Sequence, residues 1–287
     1  MKKPIERINQ EMRLSTRNKF KSWDEVVEKD MLHGSPGQIS YALKLLNDPT
    51  IYTYAFFKNK DGGQMQLYPY QDLIINDTGK RVIFCAANQI GKSVTLCCKA
   101  LHFALMNPGR TVLMTSKTEK QAMDLLLEIK RLLRSGNVDY RSQVGESETK
   151  TELYFKHFET LEKEDGSVEN KELSQSRIIV CPATEAILGY PVDLALIDEL
   201  AFYENGTYFY YQLLQPRTYT TKGQIIIFSN PNGQQGIFWA LWNDEDFSQY
   251  RFNFLDCPAN TLEEYEKLRI KRDKRLKSMA KKIELQR

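Results

Sequence analysis

The segment at residues 86–93, AANQIGKS, has a glycine, a lysine and a serine at the spacing of a phosphate-binding loop. Gly91 allows the backbone to approach phosphate oxygens closely, Lys92 can contact the β- and γ-phosphates, and Ser93 can hold Mg²⁺. The backbone N–H groups of the loop and of the helix start that follows supply the rest of an anion site. We therefore predict a nucleotide-binding segment that consists of Asn88, Gln89, Ile90, Gly91, Lys92, Ser93 and Val94.

The full loop pattern begins with a further glycine, and this sequence has Ala86 in that place. An alanine is comfortable there only if its φ angle is negative, because a positive φ favours glycine. We therefore expect a negative φ at Ala86.

Paired carboxylates follow the apolar run at residues 194–197. Asp198 ends this predicted strand and can hold the Mg²⁺ shell, while Glu199 can orient and deprotonate an attacking water. An Asp-Glu pair after an apolar strand is also common at a helix start, where the negative charge is favourable. The combination with a phosphate loop favours the catalytic interpretation.

Two further segments carry side chains that can recognise a nucleotide. Gln71, in LYPYQ, can bond the adenine edge with its donor and its acceptor. Tyr68 or Tyr70 can stack on the base, and we expect at least one of them to pack in the core instead. Ser229 ends the run QIIIFS and Asn230 follows it; both can sense the state of the nucleotide, although Asn-Pro-Asn-Gly at 230–233 favours an ordinary turn.

Short apolar runs must form the strands that position these residues. They are RVIFCA (81–86), TVLMTS (111–116), RIIVC (177–181), DLALI (193–197) and QIIIFS (224–229). Such runs are typical of strands buried on both faces, and helical spacing follows the first two runs at 93–106 and 118–134. This alternation predicts an α/β fold with a mainly parallel central β-sheet flanked by helices. Residues 152–180 predict a hairpin with an acidic tip at 165–166.

The chain is predicted to divide at residues 65 and 255. Residues 1–65 form a helical preface with helical spacing at 23–32 and 38–47, and Asp48 and Pro49 are expected to break the second helix. Residues 66–255 form the phosphate-loop core, and residues 256–287 form a lid or linker helix. The tail at 262–287 has ten Lys or Arg against five Asp or Glu. This charge suits nucleic acid or, equally, a solvated helix face. One side of the tail helix is apolar, with Leu268, Leu276, Met279 and Ile283.

Composition excludes several classes of protein. No stretch approaches the roughly 18 consecutive apolar residues of a membrane helix, and the N-terminus lacks the apolar region of a signal peptide. The five cysteines show no paired spacing, which indicates a reducing compartment. With only three histidines, none near a cysteine pair, a structural zinc site is not expected.

Together and in this order, the motifs resemble the ATPase domain of phage large terminase subunits. The matching segments are the LYPYQ that contains Gln71, NQIGKS (88–93), LALIDE (194–199) and SNPNG (229–233). Residues 45–57, 187–206 and 236–242 are also similar to the family. The resemblance therefore covers most of residues 40–255.

The resemblance implies a P-loop ATPase that uses ATP and Mg²⁺ to drive double-stranded viral DNA into a procapsid. The roles it implies are catalysis for Lys92 and Glu199, metal binding for Ser93 and Asp198, adenine contact for Gln71, and coupling for Ser229 and Asn230. It also implies the capsid portal and a small terminase subunit as partners, and a homo-oligomeric ring in the working state. The expected location is the cytoplasm of the infected host cell, without a membrane.

The sequence departs from the family pattern at three positions. Asn88 stands where many members have an arginine, Leu188 replaces another arginine, and Asn230 stands where threonine or a small residue is common. An arginine finger must then come from elsewhere, for example from a neighbouring subunit. The candidates are Arg131, Arg134, Arg141 and Arg217.

The family usually adds a nuclease domain with metal-binding carboxylates, and this sequence leaves no room for one after the basic tail. We therefore expect an isolated motor domain that does not cut DNA. One alternative is a helicase-like DNA-dependent ATPase. Such an enzyme needs a second, similar lobe that carries arginines, and a chain of 287 residues with a single phosphate loop does not supply that lobe. Another is a nucleotide-binding scaffold without turnover, which Ala86 and Asn88 favour and Glu199 opposes.

Overall fold

The computed structural model describes residues 46–136, 149–162, 168–184, 187, 189–267, 269–271 and 274. The helices predicted before residue 46, the hairpin tip at 165–166 and the apolar side of the tail helix lie outside these residues. So do Arg141 and Leu188. Residues 262–267 of the tail are helical, as predicted.

A seven-stranded sheet forms the centre of the fold, in the order β3-β4-β2-β5-β6-β1-β7. The strands are β1 (Arg81–Ala86), β2 (Thr111–Ser116), β3 (Glu152–Glu162), β4 (Val168–Pro182), β5 (Leu194–Asp198), β6 (Gln224–Ser229) and β7 (Ser248–Phe252). All neighbouring pairs are parallel except β3 and β4, which form the predicted antiparallel hairpin. The prediction of a mainly parallel sheet flanked by helices is confirmed.

In the described parts of the chain, seven α-helices and one π-helical turn lie around the sheet, in addition to the helical residues of the tail. The α-helices are α1 (Pro49–Phe56), α2 (Pro69–Asn76), α3 (Lys92–Met106), α4 (Glu119–Ser135), α5 (Gly206–Tyr208), α6 (Gln215–Tyr219) and α7 (Gly236–Trp242). The π-helical turn, Phe209–Leu214, joins α5 to α6. Short 3₁₀ turns lie at Leu200–Phe202 and Phe254–Asp256.

Alternation along the strands divides the interior into two cores. Val82, Phe84 and Ala86 of β1 pack on one face with α1 to α4, whereas Ile83 packs on the other face with the helices that follow β5 and β6. Successive strand side chains point to opposite faces, and here both faces are covered. This explains why the strand sequences are apolar almost throughout.

Pro49 was expected to break a helix, and it begins one instead. The Asp48 side chain accepts hydrogen bonds from the backbone N–H groups of Thr50 and Ile51, at 2.9 and 3.2 Å, and caps α1. Proline is favourable in the first turn because the N–H it lacks has no partner there. Residues 46–57 then pack into the same core as α2 and α3. The division of the chain at residues 65 and 255 stays a prediction.

None of the helices in the described parts of the chain has the length and apolar character that crossing a bilayer requires.

Candidate active site

The predicted phosphate loop leaves the carboxyl end of β1 and enters α3. Gln89 and Gly91 have positive φ angles, 61° and 77°, and Gly91 is the residue that precedes the first turn of α3. Ala86 is the last residue of β1 and has a negative φ, as expected for an alanine in that place. The first N–H groups of a helix have no partner within it, so the start of α3 can bind an anion.

Two side chains at the start of α2 make hydrogen bonds to the backbone of the phosphate loop. The Tyr70 hydroxyl donates a hydrogen bond to the Ile90 carbonyl, and the Gln71 Nε2 donates to the Gly91 carbonyl at 3.3 Å. The φ of Gly91 favours glycine, and a β-carbon there would lie 2.6 Å from the Gln71 Nε2, so any side chain would displace the Gln71 carboxamide from the loop. The loop is therefore held by two side chains from the predicted adenine segment.

The two tyrosines of that segment differ in burial. Tyr70 is 4% exposed and packs in the core, while Tyr68 is half-buried with its ring centroid 5.9 Å from that of Tyr70. The Gln71 Oε1 accepts a hydrogen bond from the Tyr68 backbone N–H at 2.9 Å. An adenine contact by Gln71 stays a prediction.

Lys92 lies at the centre of the site and is 8% exposed. Its Nζ is 3.2 Å from the Glu199 Oε1 and 2.8 Å from the Asn230 Oδ1. The carboxyl ends of β5 and β6 supply these two acceptors, because parallel strands end at the same edge of a sheet. Three motifs that are remote in the sequence therefore meet in one hydrogen-bonded group.

Glu199 adopts the left-handed region, with φ 61°, at the turn that follows β5. Its backbone N–H donates to the Phe228 carbonyl at 2.7 Å, which ties the turn to β6. The buried Ser229 hydroxyl accepts a hydrogen bond from the Ala201 backbone N–H at 3.1 Å. Ser229 thus shapes the turn that presents Glu199 and does not itself contact Lys92 in the described hydrogen bonds.

The Asp198 carboxylate is buried and incompletely satisfied. It is 8% exposed, and its Oδ1 has no hydrogen-bond partner in the described part of the chain. Burial, with a smaller contribution from the Glu199 charge, raises the pKa of Asp198 to about 6. The partnerless oxygen lies at the carboxyl edge of the sheet, where exposed Ser93 follows the phosphate loop into α3, and oxygen ligands of this kind fit an Mg²⁺ ion.

Three contacts around the site had no signal in the sequence. They are the hydrogen bond from Asn230 to Asn88, the bond from Tyr70 to Ile90, and the 3.0 Å contact between the Thr115 and Tyr203 hydroxyls. Each joins residues that belong to different strands or loops. A hydroxyl or amide side chain at the end of an apolar run shows that the residue lies at the carboxyl edge of the sheet. It does not show which residue will be its hydrogen-bond partner.

The arginine-finger candidates lie away from this group. Helix α4 starts beside the carboxyl end of β2 and runs back for roughly 25 Å, at about 1.5 Å per residue, so Arg131 and Arg134 lie toward the opposite edge of the sheet. Arg131 bonds both Glu128 carboxylate oxygens and the Lys58 carbonyl. Arg217 donates to the carbonyls of Ile187 and Leu213, at 2.9 and 2.6 Å. The structure brings none of these three arginines to the site of its own chain.

A family profile for the N-terminal part of the terminase large subunit, of the T4-like-virus type, matches residues 83–285. This match spans the phosphate loop, the Asp-Glu pair and the segment at 229–233. No curated protein sequence matches the chain.

Solved structures of phage terminases share the fold. The ATPase domain of the large terminase of Thermus phage P74-26 has a TM-score of 0.60 at 18% identity, over 73% of this chain and 89% of that one. The HK97 bacteriophage large terminase has 0.54 at 11% identity, over 72% and 43%. The large terminase of the thermophilic bacteriophage D6E, in complex with ADP, has 0.50 at 16% identity, over 66% and 44%. The aligned part thus spans less than half the length of the HK97 and D6E proteins.

Proposed function

This chain belongs to the T4-like-virus-type family of terminase large subunits, and we propose that it hydrolyses ATP to drive double-stranded viral DNA into a procapsid. One observation carries the proposal. Lys92, Glu199 and Asn230 form a single hydrogen-bonded group at the carboxyl edge of the sheet, next to the partnerless Asp198 oxygen. A phosphate loop, a candidate base and a candidate metal ligand therefore meet where a nucleotide would bind.

Each side chain has a role that its contacts suit. Lys92 would bind the β- and γ-phosphates. In the structure its ammonium instead contacts the side-chain oxygens of Glu199 and Asn230, which phosphate oxygens would replace. Once Lys92 turns to the phosphates, the Glu199 carboxylate is free to accept a proton from the attacking water. An Mg²⁺ ion held by Ser93 and Asp198 would neutralise charge on the phosphates. Gln71 is proposed as the adenine contact.

The wider assignments belong to the same proposal. The partners are double-stranded DNA, the capsid portal and a small terminase subunit, and the working form is a homo-oligomeric ring in the host cytoplasm. Ser229 and Asn230 couple hydrolysis to movement, and residues 66–255 act as the motor core with 256–287 as a lid or linker. The contact of Ser229 with the Glu199 turn and of Asn230 with Lys92 supports the coupling role.

The test is ATP hydrolysis by the wild type, Lys92→Ala and Glu199→Gln. We expect both variants to lose turnover by about 10²-fold or more, because one loses the phosphate cation and the other the proton acceptor. Glu199→Gln should still bind ADP, since it keeps the size of the side chain. The exposed Lys120→Ala and Glu204→Gln are matched controls that should keep wild-type turnover.

Thermal melting of each variant establishes that it is folded. Wild-type levels of hydrolysis in Glu199→Gln would contradict its role as the base. ADP binding by a wild type that shows no turnover, even with DNA and portal present, would favour a nucleotide-binding scaffold instead.

A further inference from the structure

A side-chain bridge connects the phosphate loop to the end of β6. Asn88 lies in the loop, and Asn230 is the first residue after β6; the Asn230 Nδ2 donates a hydrogen bond to the Asn88 Oδ1. Strands β1 and β6 are parallel neighbours with Cys85 opposite Ser229, so the two chains leave the sheet side by side. The bridge spans 142 positions of sequence.

The charged neighbours of Asn230 determine the orientation of its carboxamide. The Oδ1 accepts from the Lys92 ammonium at 2.8 Å, and the Nδ2 lies 3.4 Å from the Glu199 carboxylate. A flipped amide would place its NH₂ against the ammonium and its oxygen against the carboxylate, which is unfavourable at both ends. The Nδ2 therefore faces Asn88, and position 88 has to supply an acceptor.

We propose that Asn88 is a positioning residue, which holds Asn230 so that nucleotide binding at the phosphate loop is transmitted directly to the end of β6. The proposal rests on the proposed function, because Lys92 is the group that the phosphates would take away from Asn230. Asn88 and Lys92 belong to the same loop, and both bond the same amide. When Lys92 moves, Asn88 keeps Asn230 attached to the loop beside Glu199.

The chemistry of position 88 follows from this geometry. Arginine and lysine have only donors, so neither can accept from the Asn230 Nδ2. Aspartate accepts, but it adds negative charge where phosphates are proposed to bind. Asparagine supplies the acceptor without charge. Asn88 and Asn230, two of the three positions at which the sequence departs from the family pattern, are thus hydrogen-bond partners of each other.

A double-mutant cycle of Asn88→Ala, Asn230→Ala and the double variant tests the bridge. In urea without nucleotide, we expect Asn88→Ala to raise the unfolding equilibrium constant about fivefold, and Asn230→Ala by at least as much, because it also removes the Lys92 contact. The double variant should match Asn230→Ala, rather than show the product of the two single effects. With ATP, kcat should fall about tenfold in each single variant and no further in the double variant. Asn88→Ala should lower kcat by a larger factor than it raises the Kd for ADP, because the proposal assigns the Asn88 side chain to Asn230, whereas the sequence predicted a nucleotide contact. Asn243→Ala is the control, because it removes an exposed asparagine whose side chain donates to the Trp239 carbonyl within α7 and contacts neither Asn88 nor Asn230 in the described hydrogen bonds.

Independent effects in the urea cycle, which multiply in the double variant, would overturn the proposal. So would a large loss of ADP affinity with unchanged kcat in Asn88→Ala, since Asn88 would then be a nucleotide ligand. Failure of the proposed function is a separate result, because a wild type without turnover still gives a urea cycle that reports whether Asn88 holds Asn230.

Discussion

At the scale of single residues, Asp198 carries a charge that the described part of the chain leaves incompletely satisfied. Its Oδ1 has no hydrogen-bond partner, and burial raises its pKa to about 6. A folded-state pKa above the unfolded value means that ionisation of this carboxylate opposes folding. The cost grows as the pH rises from about 4 to 6 and is fully present at pH 7. A buried carboxylate with an unpartnered oxygen and a raised pKa is typical of a functional site, here one that can bind a cation.

We therefore predict that Asp198→Asn stabilises the nucleotide-free protein at pH 7 and abolishes Mg²⁺-dependent ATP turnover. The expected gain in the free energy of unfolding is about 1–3 kcal/mol, because each unit of pKa shift corresponds to about 1.4 kcal/mol. Urea denaturation with and without nucleotide measures it, and the exposed Asp61→Asn is the control. A stability loss in Asp198→Asn would show that the ionised carboxylate is stabilised by contacts of its own.

Also at this scale, the amide pair of Asn88 and Asn230 shows how a residue acquires a role from its partner. Asn88 is exposed and would be unremarkable by itself. Its partner, however, also contacts Lys92 and Glu199. The neutral acceptor at position 88 therefore affects the positions of Lys92 and Glu199 through Asn230.

At the scale of elements, helix α3 runs from the carboxyl ends of the strands, where the site lies, back toward their amino ends. Its first residue is Lys92, in the site, and Lys99 lies two turns further along. The Lys99 ammonium donates to the carbonyls of Ile75 and Asp77, at 2.8 and 2.9 Å, and so binds the C-terminal end of α2. Because α2 also carries Tyr70 and Gln71, this contact helps to align the support of the phosphate loop.

Burial lowers the pKa of Lys99 to about 8, against the partly compensating charge of Asp77. The folded protein then releases this proton at lower pH than the unfolded chain, whose lysines titrate near about 10.4. Between these values the unfolded state binds more protons, so stability rises with pH. The charged, buried lysine costs most below pH 8.

We predict that the Lys99 contribution raises the free energy of unfolding by up to about 2 kcal/mol between pH 7 and pH 9.5. Lys99→Met should lose this rise, while the exposed Lys120→Met should keep it. Urea denaturation measures the free energy of unfolding across this pH range. The difference between variant and wild type cancels the contributions of the other titratable groups. Equal slopes in Lys99→Met and wild type would mean that Lys99 titrates at its ordinary pKa.

The elements themselves were largely predictable, for a local reason. The apolar runs of β1, β2, β5 and β6 and the periodicity of α3 and α4 depend on residues that are close in sequence. Helix α1 was missed because Asp48 and Pro49 were interpreted as a break, although they also cap and begin a helix. Edge strand β7 was missed because its sequence, SQYRF, is half polar and half-buried.

At the scale of the whole molecule, the site of one chain lacks an arginine among the described hydrogen bonds of Lys92, Glu199 and Asn230. Arg131 and Arg217 are engaged by carbonyls and a carboxylate of their own chain. Arg134 is exposed near the opposite edge of the sheet. A finger from a neighbouring subunit would therefore complete the site only in an assembly.

We predict that the ATPase rate per subunit rises with protein concentration, and that Arg134→Ala removes the rise without changing stability. Arg131→Ala should instead lower the free energy of unfolding, by about 1–2 kcal/mol, because it breaks an internal contact. Mixing Arg134→Ala with Glu199→Gln should restore part of the turnover, since each supplies what the other lacks. A rate that is independent of concentration, with no restoration on mixing, would exclude Arg134 as a finger in trans.

The sequence by itself determined the α/β class, the phosphate-loop pattern, the Asp-Glu pair and most strands, because these depend on local spacing and on the alternation of buried residues. The tertiary structure decided which of these segments meet. The bonds of Lys92 to Glu199 and Asn230 cross 107 and 138 positions, and they exist because β5, β6 and β1 are neighbours in a defined register. Strand order and register arise from packing over the whole sheet, so no local pattern contains them.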